Sequence, residues 1–330
     1  LVGSEMCIRD SEYPHNLVNA HITKVNDTEI EGYATYYNAF TGYTLEQNYT
    51  LYFVLQFSKP FDSMGGWVNE GVKPVTGYIP GWNRNHEFET PAEIKQNITQ
   101  IDGKGDVGIF LNYKTRESEE ILVRSGVSLV DMAGARNNLK QELADPFGWD
   151  FEKVVDNARS VWDEYLGRIA IETDDYLQKK KFYTNLYRAL AAKATWSDAD
   201  GRFVDEDERI RQLEKPDDCI VSGEYWNTFW NNQQLFNLMA PEISSQWARS
   251  AIQLYQNSGW FNTDPAGIEH TGVMVAMHPI SQILGAWQSG IRDFDLNIAY
   301  DGLKKMMTAP PQKYEGGGTV GVENLVPYME

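Results

Sequence analysis

The sequence predicts a chain of two parts, an antiparallel β-sandwich followed by helices arranged as an α/α toroid. Three observations carry this. Before about residue 135 apolar side chains alternate in short runs, the period of a half-buried strand. After it they recur in steps of three and four, the period of an amphipathic helix. The helical runs are also joined by long polar segments, whereas a four-helix bundle has short connections.

Leu17 to Val25 and Glu31 to Tyr37 read as the first strands. Tyr49-Thr-Leu-Tyr-Phe-Val-Leu-Gln-Phe57 is β-branched and aromatic, and Ser58-Lys-Pro60 closes it. Val107 to Tyr113 and Glu120 to Val130 flank a polar turn, Lys114 to Glu119, and read together as a hairpin. Strands punctuated by Gly, Asn and Asp, with no helix between them, indicate an antiparallel sandwich.

From Phe151 onward Val154, Val155, Ala158, Val161, Trp162, Tyr165, Leu166 and Ile169 form one apolar stripe. Tyr176 to Ala192 repeats the pattern, and further helices are expected at about 224–240, 242–257, 271–288 and 293–307. Thr195 to Gly223 is a long acidic loop, and a loop of that length is usually functional or disordered. Its Trp196 to Phe203 part is expected to be functional, and Asp205 to Asp218 mainly solvated.

Composition narrows the function. The 330 residues carry a net charge of −18, which argues against nucleic acid, since phosphate binding needs clustered Lys and Arg. No apolar run is long enough to form a membrane-spanning segment. Only Cys7 and Cys219 are present, too few for a disulfide framework or a thiolate metal site. Cys7 falls within residues 1–11, which fit no structural pattern and read as a probable non-native leader. The five His show no metalloenzyme spacing such as His-Glu-x-x-His. Against this, 13 % of residues are aromatic, and flat rings stack on the apolar faces of pyranoses as well as filling cores.

A series of short motifs carries a resemblance. Ser125-Gly-Val-Ser-Leu-Val, Ala135-Arg-Asn-Asn-Leu139, Trp149-Asp-Phe, Ala158-Arg-Ser-Val-Trp162 and Leu166-Gly-Arg-Ile come first. Phe182-Tyr-Thr-Asn-Leu-Tyr-Arg188, Ser197-Asp-Ala-Asp-Gly-Arg202, Tyr225-Trp-Asn-Thr-Phe229, Gly290-Ile-Arg-Asp-Phe-Asp295 and Tyr314-Glu-Gly-Gly-Gly follow in order. Together they resemble glycoside hydrolase family 92, the calcium-dependent exo-acting α-mannosidases, from about Glu29 to Tyr328. Each motif is weak alone; the order is what makes chance implausible.

The resemblance implies a β-sandwich over 12–134 with its N-terminal part missing, linker helices over 135–170, and the first part of an incomplete (α/α)6 barrel over 171–330. It implies inverting hydrolysis of terminal α-linked mannose from a glycan, with Ca2+ gripping the sugar, in an extracytoplasmic protein. Inversion needs an acid at the glycosidic oxygen and a base on the far side of the ring, spaced to admit water. The family's acid and base motifs and its main calcium ligands are expected beyond Glu330, so the chain alone is expected to be inactive.

The substrate-binding candidates are Trp226, Asn227, Trp196, Asp198, Asp200, Glu269 and His270. Asn227 stands where many members have Asp; it keeps an acceptor, gains a donor and loses the charge, which bears on linkage specificity. Plainer roles stay open for each. Trp226 and Trp196 suit core rings, Asn227 a helix cap, and Asp198 and Asp200 an Asx-turn beside Gly201. Glu269-His270 matches a family segment lining the cleft. His278 reads as a buried, satisfied histidine and Arg188 as a structural brace. Rival readings are another (α/α)6 carbohydrate-active enzyme, or a non-catalytic carbohydrate-binding or adhesion module built on Trp67, Trp82 and His86.

Overall fold

The computed structural model describes residues 17–37, 48–70, 91–191, 194–205, 207–215, 218–222, 228, 231–261, 265–266, 269–270 and 278–309. The chain divides into two compact units. One holds residues up to Asp150, apart from Tyr43–Leu45, together with Asp198–Asp200; the other holds the rest.

The first unit is built on two antiparallel sheets. One has the order β6–β1–β2–β3–β8, from β1 (Leu17–Asn26), β2 (Glu29–Tyr37), β3 (Asn48–Phe57), β6 (Gln100–Gly103) and β8 (Val123–Ser128). The other has the order β5–β4–β7, from β4 (Ser63–Asn69), β5 (Glu93–Lys95) and β7 (Asp106–Asn112). Side-chain alternation places Ile22, Ile30, Phe57 and Ile101 of the first sheet in one core with Met64 and Val68 of the second. Gly32 makes this register possible, because a Cβ there would sit 2.8 Å from the Phe53 ring and 2.4 Å from the His21 carbonyl.

The hairpin expected between Val107–Tyr113 and Glu120–Val130 does not form. β7 pairs with β4 and β8 pairs with β3, in different sheets. The reason lies in the connection, which is too long for a tight hairpin turn and is held instead by Ser58, Lys59 and Asp62. Lys59 Nζ donates to the Lys114 carbonyl (2.6 Å) and to Glu119 (2.8 Å). The Lys114 N–H reaches Asp62 (2.7 Å), and the Leu122 N–H reaches the Ser58 hydroxyl (2.8 Å).

β8 runs into α1 (Met132–Asn138), which Asp131 caps by accepting from the Gly134 N–H at 2.6 Å. α1 closes the outer face of the sheet by burying Val54 under Ala135 and Leu139. Arg136 fixes its placement by donating to Glu29 (2.5 Å) and to Glu31. A π-helical stretch, Leu139–Ala144, and a short turn of helix, α2 (Asp145–Phe147), complete the unit.

The second unit is mainly helical. α3 (Phe151–Leu166) and α4 (Tyr176–Leu190) meet through Trp162, Tyr165, Leu166, Phe182, Tyr183 and Leu186. Asp175 caps α4 through the N–H groups of Leu177 (2.9 Å) and Gln178 (3.2 Å). α5 (Asn232–Met239), α6 (Pro241–Ser258), α7 (His278–Gln288) and α8 (Leu296–Thr308) follow. Pro241 opens α6 and Gly259, at φ 80°, closes it in the left-handed conformation. A core of Ala248, Ile252, Phe261, Ile283, Ala299 and Met306 joins α6, α7 and α8.

The acidic stretch after α4 is more ordered than its composition suggests. β9 (Ala194–Thr195) pairs with β12 (Val221–Ser222), and β10 (Arg202–Val204) pairs with β11 (Ile210–Gln212). Asp205, expected to be solvated, is 1 % exposed, because its carboxylate caps the β10–β11 turn and pairs with Arg211. Leu213 is likewise buried, against Phe203, Ile220 and Leu254.

Candidate functional site

Of the residues singled out as sugar contacts, Trp226 and Asn227 lie outside the described residues, as do Trp82 and His86. Glu269 and His270 form β14, which pairs with β13 (Pro265–Ala266) through the partners Ala266–Glu269 and Pro265–His270. Their side chains fall outside the described set. Trp67 lies in β4 with its ring over Gly108, where a Cβ would meet it at 2.0 Å. His278 is buried at the start of α7, and Arg188 is exposed in the last turn of α4.

Trp196, Asp198 and Asp200 are all described, and they differ sharply. Trp196 is half-buried against Phe203, Leu213, Ile220 and Leu254, and its backbone N–H donates to the Ile220 carbonyl at 2.8 Å. Most of its ring is spent on packing. Asp200 is exposed, followed by Gly201 at φ 80°, a left-handed turn position that glycine takes without strain.

Asp198 is buried at 6 % exposure, and two side chains that sequence reasoning missed hold it. Ser128, the last residue of β8, donates from Oγ to Asp198 Oδ2 at 2.7 Å. Asn138, the last residue of α1, donates from Nδ2 to Asp198 Oδ1 at 2.8 Å. The same Nδ2 reaches the Val127 carbonyl (2.8 Å), and Asn138 Oδ1 accepts from the Ala199 N–H (2.8 Å). Ser128 Oγ in turn accepts from the Val130 N–H at 2.9 Å. A buried carboxylate with a donor on each oxygen meets the condition for keeping a polar group out of water.

Two neighbours complete the arrangement. Gly134 gives the carboxylate room: a Cβ there would stand 2.1 Å from Asp198 Oδ2 and 2.7 Å from Ser128 Oγ. Glu142, on the π-helical stretch, has its carboxyl pushed above the ordinary value, first by burial and then by the negative charge of Asp198. Chemically, this fixes a turn. Asp198 is the anchor, and Asp200, two residues on, is an exposed residue of the same turn.

Two family domains match the chain, and they meet between residues 128 and 134, ahead of the boundary between the two compact units at Asp150. Residues 5–128 match the glycosyl hydrolase family 92 N-terminal domain. Residues 134–328 match the family 92 catalytic domain. Among solved structures, the fold is similar to the family GH92 inverting mannosidase BT2199 from Bacteroides thetaiotaomicron, with TM-score 0.75 and 22% identity over 94% of this chain and 38% of that one. It is similar also to the family GH92 α-mannosidase BT3965 from the same organism, with TM-score 0.71 and 22% identity over 90% of this chain and 36% of that one. BT3965 has also been solved in complex with mannoimidazole. The chain thus spans well under half the length of these relatives, and at such identity they speak for the fold. No curated protein matches the chain. With its two parts matched in sequence by the family's two domains, over more than half of its residues, the chain belongs to glycosyl hydrolase family 92.

Proposed function

We propose that these residues serve an inverting, exo-acting α-mannosidase that removes terminal α-linked mannose from glycans outside the cytoplasm. The observation that carries this is the ordered match of N-terminal and catalytic family domains to residues 5–128 and 134–328. In this reading residues 12–134 form the sandwich, 135–170 the linking helices, and 171–330 the first helices of an (α/α)6 toroid. None of the described residues is assigned the acid or the base. The chain's part in this reading is to supply sugar contacts, with Trp226, Asn227, Trp196, Asp200, Glu269 and His270 as the candidates and Asp198 as an anchor.

Calcium belongs to the reading through the family alone. Among the described residues no three His, Cys, Asp or Glu side chains come together as a metal-holding group, so these residues do not fit the ion. Also among the described residues, no helix is long and apolar enough to cross a membrane.

Mannose release from an aryl α-mannoside by the protein encoded by the whole reading frame is the test, followed by proton NMR. Inversion requires β-mannose to appear first. α-Mannose appearing first, or no release at all, overturns the proposal.

A further inference from the structure

The turn Asp198–Asp200 is held by residues sixty or more positions earlier in the chain, and the hold is unusually complete. Asn138 spends its amide on three partners, the Val127 carbonyl, Asp198 Oδ1 and the Ala199 N–H. Few side chains can do this: Asp lacks the donor, Leu lacks every polar group, and Gln carries its amide one carbon farther out. Ser128 holds the second carboxylate oxygen, and Gly134 leaves the space that any Cβ would fill. Three separate requirements therefore converge on one buried carboxylate.

An apolar anchor would hold an ordinary loop without the cost of burying a charge. A fully satisfied polar network instead fixes direction as well as proximity. The residue after the anchored Asp198–Ala199 pair is the exposed Asp200. We propose that Asn138 is a positioning residue for the turn, setting Asp200 at the place where it accepts from a hydroxyl of the sugar. The proposal deepens the mannosidase reading and rests on it for the identity of that sugar.

The test uses the whole chain and two variants that act differently. Asn138→Asp keeps the shape and the acceptor for Ala199 but loses the donor and sets two carboxylates against each other. Gly134→Ala pushes a methyl group into Asp198. Amide exchange is read at Ala199, with the β10–β11 ladder as a control for global folding, and methyl α-mannoside is titrated by NMR.

At neutral pH both variants should speed Ala199 exchange about tenfold and weaken the mannoside by a similar factor, while β10–β11 protection holds. In Asn138→Asp alone, acidification should restore Ala199 protection, because a proton shared between the two carboxylates replaces the lost donor. Asp131 and Glu142, the other carboxylates near the turn, are common to both variants and the parent. Unchanged Ala199 exchange in both variants overturns the positioning, as does released exchange with unchanged mannoside affinity. A parent chain that takes up no mannoside sinks the sugar reading alone, since exchange still decides whether Asn138 sets the turn.

Discussion

Arg211 donates its Nε–H to Asp205 across 2.5 Å, and the Asp205 side chain is shut completely away from solvent. Its other oxygen accepts from the N–H groups of Asp207 (3.0 Å) and Arg209 (2.9 Å), so one carboxylate holds both the turn and the second strand of the β10–β11 hairpin. Asp205→Ala strands two N–H groups and a guanidinium and should cost about 2–4 kcal/mol, read from the urea midpoint. Asp205→Asn keeps an acceptor and should cost less. Equal, negligible losses would show that the turn is held by something else.

Gly126 sits in β8 directly beneath α1. A Cβ there would lie 2.3 Å from the Ala135 carbonyl and 2.5 Å from Leu139 Cβ, neither of which is a flexible side-chain end. Gly126→Ala should therefore lift α1 off the sheet and cost about 1–3 kcal/mol through overpacking. Thermal unfolding checks the loss. Faster proteolysis within 132–147 than in β1–β3 would locate it.

Glu142 gives a pH signature of uncommon sign. Its folded carboxyl titrates above the ordinary value, through burial and then Asp198, so ionising it opposes folding. The penalty is absent below the unfolded value and complete above the folded one. Glu142→Gln should stabilise the protein at pH 7 by about 0.5 kcal/mol, allowing for solvent screening of a side chain only partly withdrawn from water, and do nothing near pH 4. Stability curves of the pair that run parallel across this range would refute it.

Glu242 should behave in the opposite way. Burial raises its carboxyl, but its own backbone N–H, Arg168 and Tyr165 outweigh burial and hold it below the ordinary value. The Arg168–Glu242 pair spans 2.6 Å with both partners in contact with water. Its stabilisation is present above the unfolded pKa and is lost as pH falls through the folded one. Glu242→Gln should cost about 0.5 kcal/mol at pH 7, shrinking to nothing in acid and in high salt. A loss independent of both would point to packing instead.

Local periodicity made part of this architecture legible. The strands around Ile22, Ile30 and Val54 and the helices around Trp162 and Leu186 repeat at periods that a single segment reveals. Which strand pairs with which is not local, and so β7 and β8 read as neighbours though they lie in different sheets. The charge of Asp205 suggested a wet loop, because sequence shows a carboxylate but not the N–H groups and guanidinium that enclose it. In the sequence Asp198 reads as a substrate contact or, more plainly, as a turn residue, and nothing there marks Ser128 and Asn138 as its holders. Both stand within the motifs Ser125-Gly-Val-Ser-Leu-Val and Ala135-Arg-Asn-Asn-Leu139, and a small polar residue closing a strand or a helix is the local signal for such a holder.

The π-helical stretch from Leu139 to Ala144 begins at the residue after Asn138. A helix takes this wider form when it carries one residue more than its flanks require, the surplus being absorbed locally. Removing one residue, such as Gln141, would return the stretch to ordinary winding and leave the turns on either side of it in phase. Asn138, upstream of the change, would keep its hold on Asp198, and Asp145 and Phe147, downstream of it, would keep the faces they present now. The surplus residue therefore acts as slack in the winding, a place between Asn138 and Asp145 where the chain can lose one residue without re-aiming either end.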